Sequence, residues 1–193
     1  MQEIIKAGAR SRDLIRQLVA LGGRQALERR TLDLNAVVRA QAPLLRAAVR
    51  PEIRIDYALA DSACPISADP ARIGEVLLHL ALNAQDAMRA EGTIVIGTSE
   101  LVLGDGSPGS RPELAAGRYV LLTVADNGAG MDAQTAARIF DPFFTTKELG
   151  GGTGLGLSTA HGIVKQHSGT IEVESQPGAG SRFLIYLPLT VGR

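Results

Sequence analysis

The chain has 193 residues, long enough for one globular domain with an additional element, and 45% of them are hydrophobic, which is enough for a real core. Its 20 Lys and Arg residues balance its 20 Asp and Glu residues, so the net charge gives no general attraction to nucleic acid or anionic lipid. Aromatic residues make up only 4% and Trp is absent, which argues against a base-stacking surface.

Residues 1–30 have the spacing of a long amphipathic helix. Apolar or small side chains recur at alternating intervals of three and four residues, which places them on one helical face: Ile4, Ala7, Ser11, Leu14, Leu18 and Leu21. A helix with such a stripe needs a partner. Two partners are open, namely the rest of the same domain or a second helix in a dimeric bundle.

Beyond residue 30 the sequence alternates between helical and strand patterns. Helices are predicted at 31–49 with Asn35 or Asp33 as the cap, at 68–90, near 132–139 and at 155–168. Strands are predicted at 52–60, 93–103, 118–126, 170–175 and 181–187. Because the strands come in neighbouring pairs, we expect a two-layer α/β sandwich, a mixed β-sheet with helices on one face.

One polar line runs along the predicted helix 68–90. His79, Asn83 and Asp86 follow Glu75 at intervals of three or four residues, opposite the apolar face. This line is either an ordinary solvated face or part of a site. Asn has a poor propensity for the middle of a helix, and its carboxamide oxygen is a hard ligand that Mg²⁺ accepts.

The stretch "VADNGAGM" ends a predicted strand at Asp126 and turns through Gly128 and Gly130. It is either a plain strand-to-helix turn or a site. In a site, Asp126 would accept a hydrogen bond from a donor such as an exocyclic amine, and the glycines would let the backbone lie against a flat base.

Glycine is dense in "GGGTGLGLSTAHGIVKQHSGTI", residues 150–171, which runs into a helical pattern. Such density is typical of backbone that approaches a phosphate. Leu157 stands where a dinucleotide fingerprint needs Gly and where a Walker A loop needs Lys, so neither motif is present.

The four stretches together resemble the N, G1, F and G2 boxes of the GHKL ATPases, which include histidine kinases, gyrase B subunits, mismatch-repair ATPases and heat-shock chaperone ATPases. They are the Asn-bearing helix, the D-x-G-x-G turn, "IFDPFFTTK" (139–147) and "GTGLGLS" (152–158), in that order. The sequences of the last two stretches, 139–147 and 152–158, are most similar to those of sensor histidine kinases. The resemblance covers nearly the whole chain. It implies the GHKL fold, preceded by a long N-terminal helix.

The resemblance also implies roles for individual residues. Asn83 would hold Mg²⁺, Asp126 would bind the adenine amine of ATP, and the glycine-rich helix start would hold the phosphates. Phe140, Phe143 and Phe144 would anchor a lid on the core, and Lys147 either reaches the phosphates or is merely solvated. The implied catalytic residues are His79 and Asn83, and the implied ATP-binding set is Asn83, Asp86, Asp126, Gly128, Gly130, Met131, Phe140, Lys147, Gly152, Thr153, Gly154, Leu155, Gly156 and Leu157.

The chain departs from the family pattern at two places. The position of His79 is a second Asn in many histidine kinases and a water-activating Glu in the hydrolases of the superfamily. In addition, the only histidines are His79, His161 and His167, so no phosphoacceptor precedes the N box. We expect the acceptor His to lie outside this segment, and we expect His161 and His167 to be surface or structural residues.

The resulting expectation is the ATP-binding catalytic domain of a sensor histidine kinase, which donates the γ-phosphoryl group of Mg·ATP to a histidine. Residues 1–30 would be a partial dimerisation helix and linker, and residues 31–193 the catalytic domain. The expected partners are ATP, a second protomer and a response regulator receiver domain, without nucleic acid. The alternative is a GHKL-type ATP-dependent conformational switch.

The expected location is the cytoplasm. No stretch resembles a signal peptide or an apolar span, so no membrane contact is expected from this segment, although the full-length protein could be anchored upstream. The single cysteine, Cys64, fits a reducing compartment.

Overall fold

The computed structural model describes residues 27–104, 114–147 and 152–190. The predicted N-terminal helix lies outside the described residues, apart from residues 27–30, for which the prediction is wrong: residues 27–29 have no regular secondary structure and Arg30 begins a strand. A five-stranded sheet runs in the order β2-β4-β5-β7-β6, in which β2 and β4 are parallel and every other pair is antiparallel. Its strands are β2 (Ile53–Ala58), β4 (Gly92–Leu103), β5 (Gly117–Asp126), β6 (Thr170–Ser175) and β7 (Ser181–Pro188).

Helices cover one face of this sheet, as predicted. They are α1 (Leu34–Ala48), α2 (Pro70–Ala87), α3 (Ala133–Ala136) and α4 (Gly156–Gln166). Alternate strand residues point into the core beneath α1, α2 and α4: Ile94, Ile96, Leu122, Val124, Phe183 and Ile185. The opposite face carries a smaller apolar cluster around Tyr119, Leu184 and Tyr186. The mixed two-layer α/β sandwich is therefore confirmed.

None of the helices in the described ranges is both long enough and apolar enough to cross a membrane.

A separate two-stranded sheet has one strand just before α1 and the other just before α2, and the sequence periodicity did not predict it. Residues Arg30–Asp33 form β1, which pairs antiparallel with β3 (Pro65–Ala68). The prediction of a helix starting at residue 31 is therefore wrong for its first three residues. Leu32 packs against the core from this strand, and the hydrogen bonds to β3 replace those that a helical turn would make.

Asp33 is the cap of α1, and the alternative, Asn35, has another role. The Asp33 carboxylate accepts a hydrogen bond from the Asn35 backbone N–H at 3.1 Å. The Asn35 side chain is buried and donates to the carbonyl oxygens of Ala60 and Ser62, both at 3.0 Å. Its own oxygen accepts from the Thr98 hydroxyl at 2.5 Å. Asn35 thus joins α1 to β4 and to the segment that follows β2.

The helix predicted near 132–139 is only four residues long. Asp132 caps it by accepting from the Thr135 N–H at 2.7 Å. The following backbone bonds tighten, because Arg138 donates to the Thr135 carbonyl and Asp141 donates to the Arg138 carbonyl, three residues back in each case. The chain then reaches Pro142, which has no N–H with which to continue the helix.

Candidate functional site

The N-terminal cap fixes the residue at which helix α2 begins, and the burial of its apolar side fixes which side carries the predicted polar line. The Asp69 carboxylate accepts from the N–H groups of Ala71 and Arg72 at 3.0 and 3.4 Å, and Pro70 occupies the first turn. The apolar side of the helix is buried against the sheet and includes Ile73, Leu77, Leu80 and Ala84. His79, Asn83 and Asp86 therefore stay at its open edge, where all three line one pocket.

This pocket has a volume of about 280 Å³ and lies between α2, the F-box segment and the glycine-rich turn. Most of the residues implied by the GHKL resemblance line it. They are His79, Asn83, Asp86, Met131, Lys147, Gly152, Thr153, Gly154, Gly156 and Leu157. Side chains from four separate stretches of the sequence are thus brought to one place.

The glycine-rich turn needs glycine for reasons of space and conformation. Gly154 has a φ of +66°, and a Cβ there would lie 2.5 Å from the Phe143 carbonyl carbon. The Phe143 N–H donates to the Gly154 carbonyl at 3.0 Å, which fastens the turn to the F box. At Gly156 a Cβ would lie 3.3 Å from Nδ1 of His79, so α4 starts directly beside the imidazole.

The N-terminus of α4 opens into the pocket without a side-chain cap. Leu155 takes the cap position and makes no capping hydrogen bond, and Leu155 itself is buried in the core side of the turn. Gly156 and Leu157, the first residues of the helix, both line the pocket. The first-turn N–H groups and the helix dipole make this end suitable for an anion.

Lys147 brings a positive charge to the same pocket. Its ammonium group donates a hydrogen bond to Oδ2 of Asp86, so the F-box segment and α2 are linked by an ion pair. A Cβ on Gly152 would lie 3.2 Å from Cδ of Lys147, so the lysine stem also runs beside the glycine-rich turn. Both charged side chains are partly exposed, at 37% for Lys147 and 44% for Asp86.

His79 has a carboxylate neighbour one turn earlier on α2. Its Nε2 lies 3.7 Å from Oε1 of Glu75, while Oε2 of Glu75 pairs with Arg72 at 2.8 Å. The ring is therefore placed between Glu75 and the start of α4. The Glu75 carboxylate can stabilise a positive charge on the imidazole of His79.

Asp126 is not in the lining of this pocket. It lies in a larger neighbouring groove of about 790 Å³ beside the β6–β7 hairpin. Its Oδ1 accepts from the Gly128 N–H at 2.8 Å. Burial raises the pKa of Asp126, and hydrogen bonds from the backbone of Gly128 and Ser181 partly offset this effect.

Met131 connects the two regions. It lines the pocket, and its backbone N–H donates at 2.8 Å to the hydroxyl of Ser175, which lines the groove. The pocket with Asn83 and the groove with Asp126 are therefore joined through the backbone of Met131.

The glycines of the G1 turn are packed against the rest of the chain. A Cβ on Gly128 would lie 2.8 Å from the Ala87 carbonyl oxygen, and one on Gly130, whose φ is +66°, would lie 1.9 Å from that of Gln176. Between them, Ala129 donates to Ala87 and accepts from Gly178. These glycines therefore let the turn fit between α2 and the β6–β7 hairpin, and their contact with a base stays a prediction.

The three F-box phenylalanines differ in position. Phe140 lies outside the pocket lining, stacked on His161 at 5.3 Å between ring centroids and edge-on to Phe183 at 6.5 Å. Phe144 lines the pocket, with the Arg138 guanidinium 4.5 Å from its ring centre. Phe143 is 54% exposed at a φ of 68°, so the prediction that it anchors the lid on the core is wrong. The Phe143 N–H is hydrogen-bonded to the Gly154 carbonyl, and in this backbone position the ring points to solvent.

The family model for histidine kinase-, DNA gyrase B- and HSP90-like ATPases matches residues 68–191, which contain the pocket and all four boxes. The chain belongs to this ATPase family.

Two curated relatives of this ATPase domain are sensor kinases. The chain is 39% identical over 179 residues to the sensor kinase CckA of Brucella abortus (strain 2308), covering 93% of this chain and 19% of CckA. It is 36% identical over 193 residues to the sensor histidine kinase ZraS of Escherichia coli (strain K12), covering 100% of this chain and 38% of ZraS. The chain thus spans less than two fifths of either relative.

A solved structure agrees with the fold. The catalytic domain of the histidine kinase ThkA superposes with a TM-score of 0.66 and 28% identity, covering 84% of this chain and 97% of that domain.

The pocket of the ATPase domain includes residues that the motif analysis did not single out. They are Leu82, Thr135, Ile139, Thr145 and Thr146. The two adjacent threonines lie between Phe144 and Lys147 inside the quoted F-box stretch, so their place was available from the sequence. Ile139 opens the same stretch, whereas Thr135 belongs to the short α3, and only the folded chain shows that it lines the pocket.

Proposed function

We propose that this domain binds Mg·ATP in the pocket and donates the γ-phosphoryl group to a histidine carried by another segment, as the catalytic part of a sensor histidine kinase. The observation that carries the proposal is the convergence of three features in one pocket: Asn83 on α2, Lys147 on the F-box segment and the uncapped start of α4. Each suits a different part of a metal-bound triphosphate.

The phosphates would bind at the start of α4. Its first-turn N–H groups and the positive end of its dipole favour phosphate oxygens, which explains the absence of a Walker lysine. Lys147 lies beside Gly152 and supplies a mobile positive charge. Its present partner is Asp86, so binding of ATP would exchange a carboxylate for a phosphate at the ammonium group.

The donor set at α2 fits Mg²⁺. The Asn83 carboxamide supplies a hard oxygen, and Mg²⁺ commonly takes one or two protein oxygens together with phosphate oxygens and water. When bound, the metal neutralises the charge on the phosphate oxygens. Asn83 would hold it, and Asp86, three residues on, would lie beside the phosphates.

Adenine would be read by Asp126. One carboxylate oxygen is held by the Gly128 N–H, which leaves the carboxylate oriented to accept from an exocyclic amine. The group must be ionised to accept strongly, and burial makes ionisation less favourable than in water. ATP would span the pocket and the neighbouring groove, which Met131 joins through its hydrogen bond to Ser175. Gly128, Gly130, Phe140 and Leu155 would support this region by packing.

Phosphoryl transfer would form a bond from an imidazole nitrogen of the acceptor to the γ-phosphorus as the bond from phosphorus to the β-phosphate oxygen breaks. ADP leaves, and the proton of the acceptor ring passes to a base. His79 is the candidate base within this chain, oriented by Glu75 at 3.7 Å. Most of the rate enhancement would come from positioning and charge neutralisation.

The wider assembly is also part of the proposal. Residues 1–30 would complete a dimerisation helix and linker, residues 31–193 the catalytic domain, and the phosphoryl group would pass from the acceptor histidine to a response regulator. ThkA, whose catalytic domain shares the fold, has been solved in complex with the response regulator protein TrrA. We place the domain in the cytoplasm, where ATP is available.

A slowly hydrolysing conformational switch is the second candidate. The observation that favours it is the Glu75–His79 pair at the start of α4, because a base near the phosphates can also activate water. Steady phosphate release without an acceptor would support this candidate.

The test is incubation with γ-labelled ATP, alone and with a separately made acceptor hairpin from the same full-length kinase. We expect acid-labile label on the hairpin only, its loss in Asn83→Ala, and unchanged labelling in the control Gln134→Ala, an exposed amide outside the pocket. Acid-labile label on this chain alone, or equal hairpin labelling by Asn83→Ala, would overturn the proposal.

A further inference from the structure

Helices α2 and α4 pack side by side and run in opposite directions. At one end His79 of α2 lies against Gly156, the first residue of α4. At the other end the backbone N–H of Asp69, the cap of α2, donates to Nε2 of His167 at 3.0 Å, and His167 directly follows the last residue of α4. The first end is the candidate phosphate site, and the second is remote from it.

His167 is locked into this second end. Its side chain is only 3% exposed, and its Nδ1 lies 2.7 Å from the carbonyl oxygen of Ile163. Since Nε2 accepts from Asp69, Nδ1 must donate, which defines one neutral tautomer. Burial lowers the pKa of His167 and so favours this form. The hydrogen bond to the Ile163 carbonyl and the Asp69 charge oppose this effect, whereas Arg29 and Arg72 add to it.

The segment that enters the domain from the N-terminal side is tied to the same place. The Glu28 N–H donates to Oδ2 of Asp69 at 3.3 Å, and the Arg29 guanidinium donates to the carbonyl oxygen of Gln166. Residues 30–33 then pair with β3, which leads directly into Asp69. The incoming chain is therefore hydrogen-bonded both to Asp69, the cap of α2, and to Gln166, the last residue of α4.

We propose that Glu28, Arg29, Asp69, Gln166 and His167 form a helix-end joint, which couples the contacts of Glu28 and Arg29 to the geometry of the ATP site. In this joint His167 is a positioning residue, since it touches neither nucleotide nor acceptor. The inference rests on the proposed function and adds a route by which that function is regulated.

The coupling follows from the stiffness of the two helices. Helix α4 has 11 residues and is about 16 Å long. Because it moves as a rigid rod, a shift or tilt at His167 also moves Gly156 at its other end. Packed helices slide between a few discrete arrangements rather than deforming continuously. Loss of the Arg29 contact would free α4 to slide along α2, which changes the position of the phosphate-binding N–H groups relative to Asn83. By linkage, ATP must in turn alter the stability of the joint.

The test measures binding of Mg·AMPPNP by calorimetry to the whole chain. We expect Arg29→Gln and His167→Leu to weaken binding by about three- to ten-fold, the size of one lost hydrogen bond. His167→Gln, which can still accept from the Asp69 N–H, should recover part of the loss. Arg39→Gln is the matched control, because Arg39 is exposed on α1 and is not one of the five residues of the joint.

A second readout separates coupling from simple destabilisation. Hydrogen exchange at the amides of Glu28 and Asp69 should slow when AMPPNP binds to the wild-type chain, and this change should vanish in Arg29→Gln. If wild type binds AMPPNP and the Arg29 and His167 variants bind it equally well, the joint is refuted while the proposed function stands. A wild-type chain that binds no nucleotide would overturn both.

Discussion

Lys147 and Asp86 form an ion pair that joins the F-box segment to helix α2 within the candidate site. The two residues are 61 positions apart in the sequence, and both line the pocket. A phosphate that enters the pocket meets a lysine already engaged by a carboxylate. The contribution of Lys147 to ATP binding would therefore be the difference between two ionic contacts, which is smaller than the phosphate contact alone.

Replacing Lys147 by Gln should consequently have a moderate effect. Because the side chain is partly exposed, we expect ATP affinity to fall by about two- to five-fold, with a weaker effect at high salt. Calorimetry at low and high ionic strength measures this. Lys165→Gln, near the far end of α4, is the control and should bind ATP like the wild type. A salt-independent loss would show that Lys147 acts through packing.

Replacing Asp126 by Asn tests the adenine contact. The change removes a charged acceptor and should weaken ATP binding by about ten-fold or more, which corresponds to roughly 1.5–3 kcal/mol. Asp141→Asn is the matched control, since Asp141 is exposed and pairs only with Arg138 among the ion pairs of the described residues. Unchanged affinity in Asp126→Asn would remove Asp126 from the site.

Two glycines of the G2 box and its helix provide a contrast. Gly154 has a φ of +66° and faces the Phe143 carbonyl, so Gly154→Ala should destabilise the turn by at least about 1 kcal/mol and weaken ATP binding. A Cβ at Gly162 meets nothing within 4 Å, so Gly162→Ala should stabilise α4 slightly. Thermal unfolding and calorimetry on both variants check this. Equal behaviour of the two would show that the turn is not conformationally demanding.

The buried His167 should make stability depend on pH. Its pKa is lowered in the folded chain, whereas in the unfolded chain it is about 6.5. Between these two values the unfolded chain binds more protons, so the free energy of unfolding falls as the pH drops below about 6.5 and is unaffected by this group above it. Urea unfolding at about pH 7.5 and about pH 5.5 should show a smaller pH-dependent loss in His167→Gln than in wild type. An identical loss in both chains would contradict the prediction.

Local patterns carried most of the fold because α2, β4, β5 and the β6–β7 hairpin are amphipathic over several residues. The strand β1 escaped prediction because it is four residues long and its partner lies more than 30 residues away, so only tertiary pairing defines it. Similarly, Phe143 is a large apolar residue and was therefore expected in the core. Its left-handed backbone conformation and its hydrogen bond to Gly154, which only the structure shows, accompany its exposed position.

The order of the four motifs along the sequence predicted which residues form the candidate site, but it did not predict how these residues are arranged within it. Four motifs placed Asn83, Lys147 and the glycine turn together, whereas periodicity gives no indication that Asp126 lies in a neighbouring groove and not in this pocket. The role of His167 was also hidden, because its partner Asp69 is 98 residues away and offers a backbone N–H that every residue other than proline possesses.

The length of β5 separates the two ends of the sheet. Asp126 ends this strand in the groove beside the candidate site, and Gly117 begins it nine residues earlier, opposite Leu103, about 30 Å away. The connection between Leu103 and Gly117 is therefore a suitable place to insert a fluorescent protein or an affinity tag. Such a fusion would report on the domain from a point remote from the candidate nucleotide pocket.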